Sequence, residues 1–450
     1  MKHAHIITDL GFGDSGKGAV TDRLASYCKS DNVVVVRYTG GSQAGHTVDL
    51  NDPGGTDPLL RHIHSSFASG ALGGVPSHMS QYCPIYPQNL VREAAVLRDK
   101  NPEYNARQNN TADPLAPLIT VYDVAWNRIT QTNTNTVGIG IGATMERMLH
   151  SENRTFMIDV THRHVLTHKL ARVQDYYLSK IAAMCPDKLH DFMAVTEHED
   201  LSPEDAWDYI EFRPTPWVLA KYDNVIFEGA QGIMLDQDHG FMPHVTWGRT
   251  TSRNAVEIIN AYGRCQEVTT HHVTRAYQTR HGDGPMTMPR THSIAPNDLT
   301  NVTNPFQGEL RVSGLDVNLL TFAAAVDDTY LQQLKCHRNP MQLHVTCCDH
   351  LDPDALLQVK RQLMQQIKLK GPITCWYGPT RRAIHSDLAF LPAVSMAEAY
   401  EAVLGGVMAI APDFYSLALE QMAQLMGRTN DDAFRAEVAE HGRSLPSDMD

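Results

Sequence analysis

The stretch HIITDLGFGDSGKG, His5–Gly18, decides how this chain is read. Its first six residues are a short apolar run, and glycines then recur at 11, 13, 16 and 18. After them Val20, Leu24, Tyr27 and Cys28 return at helical spacing, so the stretch predicts a strand, a glycine loop and a helix. DNVVVVRY at 31–38 follows, a β-branched run bounded by turn formers, which suits a strand buried on both faces of a parallel sheet. TGGSQAGHT at 39–47 is a second glycine loop directly after that strand. Two strand–loop units in the first 50 residues predict an α/β fold: a large, mainly parallel central sheet with flanking helices, with ligands held at the C-terminal ends of the strands.

The loop Gly11–Gly18 satisfies G-x-x-x-x-G-K but places Gly18 where a phosphate-binding P-loop has the Ser or Thr that ligates magnesium. Converging backbone N–H groups, the positive end of the following helix and the Lys17 charge suit a phosphate. A plain glycine turn that binds nothing is the alternative for this loop taken alone. Asp14 is the only carboxylate within Gly11–Gly18. In a parallel sheet the second loop opens on the same edge, so His46 is expected to face Asp14. A carboxylate and an imidazole across a phosphate-lined cleft suit proton transfer near neutral pH.

The rest of the chain adds constraints. With 38 Lys and Arg against 51 Asp and Glu, the net charge is −13, the wrong sign for gripping a nucleic-acid backbone. A small anionic ligand needs only a few local cations and remains compatible. The start lacks the apolar core of a signal peptide and no window nears 18 apolar residues, so a cytoplasmic protein without membrane contact is expected. Eight dispersed cysteines without a C-x-x-C pair predict reduced thiols. His3/His5, His62/His64 and His271/His272 lack a neighbouring carboxylate or cysteine set, so no structural metal is expected of them. The polar stretches 51–57 and 101–113 read as surface insertions. Strands are predicted at Glu267–Val273, Leu343–Cys347 and Pro372–Tyr377, and charged helical patterning at 157–221. One elaborated domain over 1–425, with an acidic polar tail at 426–450, is the expected organisation.

Taken together, these motifs resemble the adenylosuccinate synthetase family. GDSGKG at 13–18 resembles G-D-E-G-K-G, and RYTGGSQAGHT at 37–47 resembles R-Y-x-G-G-N-N-A-G-H-T. FEGAQGIMLDQDHGFMPHVT at 227–246 resembles F-E-G-A-Q-G-x-x-L-D-x-x-H-G-x-Y-P-x-V-T, and AYQTRHGDGP at 276–285 resembles A-Y-x-T-R-V-G-x-G-P. The resemblance implies a P-loop-NTPase-like synthetase fold with loop insertions. It implies a magnesium-dependent ligase of purine biosynthesis that joins L-aspartate to a 6-oxopurine nucleotide such as IMP through a 6-phosphoryl intermediate, at the expense of GTP, as a homodimer. Phage-encoded relatives act on dGMP, so dGMP with ATP or GTP is the alternative acceptor reaction. A nucleotide-binding regulatory protein without turnover is the alternative of another class.

By the same resemblance Asp14 is the base, His46 the acid and Lys17 the phosphate lysine, with Asp14 and the Gly45 carbonyl as magnesium ligands. Gly13, Ser15, Gly16, Gly18, Gln43, Gly45, Thr47, Thr136, Gln231, Thr246, Thr346, Asp349 and Gly378 are assigned to nucleotide contacts. Arg154 is assigned to the arginine that crosses to a partner subunit and Arg311 to the arginine left in the aspartate loop.

Departures fall in the same places. Ser15 replaces Glu, Ser42-Gln43 replaces Asn-Asn and Cys347 replaces Lys, while VGIGIG at 137–142 lacks a threonine and an arginine of T-G-R-G-I-G. The aspartate loop T-T-G-R-x-R corresponds to Phe306–Arg311, with Glu309 at one arginine position. Each missing charge-assisted bond to a carboxylate costs about 1.5–3 kcal/mol, which leaves Arg249, Arg275 and Arg280 as substitutes, a different amine donor, or loss of the reaction. Ser15 and Gln43 motivate the dGMP alternative, since a smaller neighbour of the base makes room for a 2-amino group.

Overall fold

The computed structural model describes residues 1–28, 32–52, 54–130, 136–199, 201–291, 294, 308–367, 373–382 and 384–386. The expected tail at 426–450, and Phe306 and Gln307 of the aspartate loop, lie outside the described residues.

The strands in chain order are β1 (His3–Asp9), β2 (Val33–Arg37), β3 (His46–Asp49), β4 (Arg61–His64), β5 (Ser77–Met79), β6 (Asn110–Ala112), β7 (Glu211–Phe212) and β8 (Asn224–Glu228). Then come β9 (Glu267–Arg275), β10 (Gln278–His281), β11 (Leu310–Ser313), β12 (His337–Arg338), β13 (Gln342–Thr346), β14 (Ile373–Trp376) and β15 (Ile384–Ser386). Ten of them form one path, β15-β14-β13-β9-β1-β8-β2-β5-β6-β7, with β12 paired to β9. Its pairs are parallel except β14 with β15. The mainly parallel sheet predicted from the first 50 residues is the observed one. Among the described residues no helix is long and apolar enough to cross a membrane.

The four-valine run of β2 shows why the sheet is buried on both sides. Strand alternation sends Val33 and Val35 to one face, with Ile7, Ile226 and Val20 of helix α1 (Lys17–Tyr27). Val34 and Val36 face the other way, with Ile6, Phe227 and the helix Arg253–Tyr262. Each such side chain, fully removed from water, contributes about 1.5–3 kcal/mol.

One expectation fails here. The stretch 101–113 is not simply a surface insertion: Asn110–Ala112 pairs in parallel with β5 and β7 inside the central sheet. Three residues with a polar start carry no apolar run to announce a strand. The Asn110 Nδ2 group instead donates locally, to Tyr104 Oη and Ala106 O, both at 2.6 Å.

A polar seam crosses the sheet beside the apolar layers. Trp376 Nε1 lies 3.4 Å from His344 Nδ1, His344 Nε2 3.1 Å from His271 Nδ1, and His271 Nε2 3.0 Å from His5 Nδ1. An indole N–H can only donate, so the tautomers follow in turn: His344 and His271 accept at Nδ1 and donate from Nε2, and His5 accepts at Nδ1. The seam stitches β14, β13, β9 and β1 across one sheet. Burial pushes His5 and His344 down to about 3, and His271 well below its ordinary value.

A histidine depressed in the folded state binds its proton first in the unfolded chain. Its contribution to stability is therefore complete above the ordinary value of 6.5 and is lost as pH falls toward about 3. Between roughly pH 7.5 and 5.5 the seam is expected to lose stability on the order of 1 kcal/mol per histidine. Urea unfolding at the two pH values measures this, and an unchanged midpoint would refute the seam's neutral state.

Candidate active site

The C-terminal ends of β1, β2, β8, β9, β13 and β14 open on one cleft of about 1520 Å³, lined by loops that follow each of them. Gly13, Asp14, Gly16, Lys17 and Gly18 line it from the first glycine loop, and Gln43, Gly45, His46 and Thr47 from the second. Thr136, Gln231, Thr246, Thr346, Asp349 and Gly378 complete the sequence-predicted residues found there.

The first loop is organised by a residue the sequence reading passed over. Asp9, at the end of β1, accepts from Gly11 N at 2.8 Å and Ser15 N at 3.2 Å, and pairs with Lys17 Nζ at 3.0 Å. Lys17 is 3% exposed and Asp9 fully buried, so the lysine is held at the cleft wall by a buried carboxylate. Asp14 thus shares the loop with a second carboxylate that reaches in from the strand. Two more ties hold the loop: Thr346 Oγ1 donates to Ser15 O at 3.0 Å, and Arg275 Nε donates to Asp14 O at 2.6 Å.

The departure at Gly18 has a steric cause. A Cβ there would lie 2.9 Å from His46 Cβ and 3.1 Å from Ser69 Oγ, so the space a P-loop hydroxyl would use is filled by the second loop. His46 is held by that packing and by Glu228, whose Oε1 lies 2.7 Å from His46 Nδ1. Glu228 also accepts from Ser69 N at 3.1 Å and from Ser69 Oγ. Burial alone would raise the Glu228 carboxyl, but His46, Arg37 and Ser69 outweigh it and hold it at about 2. Burial lowers His46, partly opposed by Glu228. An ionised Glu228 accepts only, so His46 carries its proton on Nδ1 and leaves Nε2 for a ligand.

The imidazole beside Asp14 is not His46 but His281, on β10, whose Nε2 lies 3.6 Å from Asp14 Oδ2. The sequence places His281 at the valine of A-Y-x-T-R-V-G-x-G-P, and that substitution in the motif was the available signal. Asp14 itself has φ 59°, and Gln231 and Cys347, which also line the cleft, have φ 53° and 56°. Non-glycine residues in the left-handed region store strain that surrounding contacts must hold, and such residues cluster at functional sites.

Three assignments do not reach the cleft. Ser15 is 4% exposed, and its hydroxyl donates to Gly13 O at 3.3 Å; it faces into the loop. Arg311 donates to Gly284 O at 2.5 Å across the β10–β11 hairpin. Arg154 is exposed on the surface, its Nε donating to Met148 O at 2.9 Å. Glu309, where the aspartate loop would have an arginine, pairs with Arg290. Of the substitutes, Arg275 and Arg280 line the cleft. Arg280 lies 4.2 Å over the Phe12 ring, and burial, helped by Arg311, lowers it to about 10.

A glycine-loop cleft at the strand ends is where open α/β sheets hold their ligands. A family model described as adenylosuccinate synthetase matches residues 6–309, and the chain belongs to that family. It is 29% identical over 296 residues to the adenylosuccinate synthetase of Legionella pneumophila (strain Lens), covering 62% of this chain and 63% of that protein. A Pseudomonas putida (strain F1) adenylosuccinate synthetase is 29% identical over 290 residues, covering 62% of this chain and 64% of that protein. These matches therefore span under two thirds of the relatives' length. Among solved structures, the fully ligated Plasmodium falciparum adenylosuccinate synthetase superposes with TM-score 0.63 at 15% identity, over 85% of this chain and 99% of that one. The cyanophage S-2L succinoaminodeoxyadenylate synthetase, bound to dGMP and dATP as an energy donor, gives 0.58 at 13% identity, over 86% and 95%. Both likenesses support the fold.

The packing at Gly18 generates a test. Gly18→Ala is expected to cost roughly 1–3 kcal/mol in denaturant unfolding, since the methyl forces His46 aside. Gly73→Ala, whose methyl meets nothing nearer than 3.9 Å, should be near neutral; equal behaviour of the two would refute the steric reading.

Proposed function

We propose that this protein is a cytoplasmic, homodimeric ligase of purine biosynthesis that joins L-aspartate to C6 of a 6-oxopurine nucleotide, IMP foremost, with GTP as phosphoryl donor. The observation that carries the reading is that Asp14 and His46, the latter held by Glu228, line one cleft between two glycine loops. In this reaction Asp14 takes the N1 proton, and the freed electron pair drives O6 onto the γ-phosphorus as the bond to the bridging oxygen breaks and the diphosphate leaves. His46 acts as the acid: with Glu228 holding its Nδ1–H, a second proton on Nε2 makes an imidazolium that donates to the phosphoryl oxygens as charge develops there. The aspartate amine then attacks C6, loses a proton and expels the 6-phosphate. Gln231 reads the purine edge and Asp349 the base of the donor. Arg275 and Arg280, lining the cleft, stand in for the aspartate-loop arginines, and the surface Arg154 reaches the partner subunit.

Magnesium fits the donor set. Asp14, at 35% side-chain exposure, and Gly45 line the cleft from the two glycine loops, and the carboxylate and the Gly45 carbonyl would offer the ion hard oxygen donors. When bound, the ion neutralises phosphate charge.

A dGMP acceptor is the second reading. Ser15 no longer supports it, because its side chain is turned into the loop. Gln43 does: it lines the cleft with its Oε1 buried and without a hydrogen-bond partner, an acceptor suited to an exocyclic 2-amino group.

Purified protein supplied with IMP or dGMP, L-aspartate, magnesium and GTP or ATP decides between them by succinyl-nucleotide and nucleoside diphosphate formation. Tight nucleotide binding with no product from either acceptor would overturn the ligase reading in favour of a regulatory protein. Asp14→Asn is expected to lower kcat by about 10²–10⁴-fold. Glu228→Gln is expected to lower kcat by on the order of 10²-fold with KM little changed, through the lost His46 tautomer.

A further inference from the structure

The β3–β4 ribbon carries His46 on one strand and His64 directly opposite it on the other. Strand alternation turns His62 and His64 to the same side and leaves Ile63 49% exposed on the other. Helix α2 (Pro87–Lys100) brings Glu93 against both imidazoles, and all three side chains are buried. The expectation of no metal at His62/His64 rested on the lack of a carboxylate nearby in sequence; the fold supplies one.

The contacts in this cluster are longer than charge-assisted hydrogen bonds: His62 and Glu93 share one long hydrogen bond, and His64 stands beyond that range. Glu93 Oε1 lies 3.4 Å from His62 Nε2 and 3.7 Å from His64 Nδ1. Charge-assisted hydrogen bonds run at about 2.7–2.9 Å. The edge of a tetrahedron of ligands about 2.0–2.1 Å from zinc is roughly 3.3 Å. The three ligand atoms lie within 4.8 Å of one another. Both ring nitrogens of His64 are buried without a hydrogen-bond partner, although the side chain is fully enclosed. The other carboxylate oxygen, Oε2, is fixed by Ser65 N at 3.1 Å, Ser65 Oγ at 2.8 Å and Ser66 N at 2.5 Å. Those bonds orient Oε1 toward the imidazoles, as partners behind a metal ligand do.

We infer that His62, His64 and Glu93 form a binding site for a divalent transition-metal ion, zinc by its two imidazoles and one carboxylate, with a fourth position for water. The ion clips the β3–β4 ribbon to α2. Ser65 and Ser66 lead on from β4 to Ser69, which donates to Glu228, so the clip steadies the segment behind His46. Its role is structural and does not depend on which reaction the cleft performs.

The test uses the full chain, stripped with a chelator and dialysed. Added zinc should bind at about one ion per chain and raise the melting temperature progressively with free zinc. Added cobalt(II) should give the intense visible bands of tetrahedral coordination. His64→Gln and His62→Gln should each abolish both responses while retaining wild-type far-ultraviolet circular dichroism. If the stripped wild-type chain shows neither a zinc-dependent melting shift nor cobalt bands, the site is refuted. Because that readout needs no variant, a misfolded substitution cannot mask the result. Equal zinc and cobalt responses in the wild type and His64→Gln would also refute it, placing the metal on other histidines.

Discussion

Everything around the cleft depends on how one buried carboxylate is satisfied. Asp9 would be costly beneath a glycine loop unless paired, and a buried charge that loses its partner typically destabilises by about 3–5 kcal/mol. Its partners are two backbone N–H groups of the loop and the Lys17 ammonium. Satisfying it therefore shapes the loop and anchors the start of α1 in one arrangement. The turn that results lifts Asp14 into the left-handed region and out toward the cleft, and β9 and β13 hold it there through Arg275 and Thr346.

The core of the fold was legible because its strands are long enough to show a pattern. HIITDL and VVVV announce themselves by apolar runs, and the glycines after each mark the loops. The strands at one side of the sheet did not, for a physical reason: β5, β6 and β7 are two or three residues long, too short for any periodicity, and polar partners from distant segments hold them, as Thr111 and Thr215 hold His78. The site was legible where chemistry and backbone coincide, as at Asp14, His46 and Gln231. It was hidden where a role depends on a contact between distant segments. Glu228 is 182 residues from the His46 it orients, and Asp9 looks like the end of a strand until Lys17 folds back onto it.

Electrostatics follow the same logic. The net charge of −13 says little about the cleft, where cations are few and already engaged. Lys17 is matched by Asp9, and Arg311 turns to a carbonyl. Arg275 and Arg280 also line the cleft, but both are buried and already bond to backbone carbonyls, so much of the polarity available to an anion comes from loop N–H groups and from whatever ion the oxygen donors would hold. A site of this kind binds through prearranged dipoles more than through spare positive charge.

The seam of imidazoles through the sheet has one more consequence. A row of linked histidines has the shape of a proton conduit, and conduction along it would need each ring to carry an extra proton in turn and then rotate. Here the indole at one end can only donate, which fixes the direction of the row, and burial makes the doubly protonated ring inaccessible near neutral pH. The row has one orientation, and it links four strands through the interior of the sheet by hydrogen bonds between neutral rings.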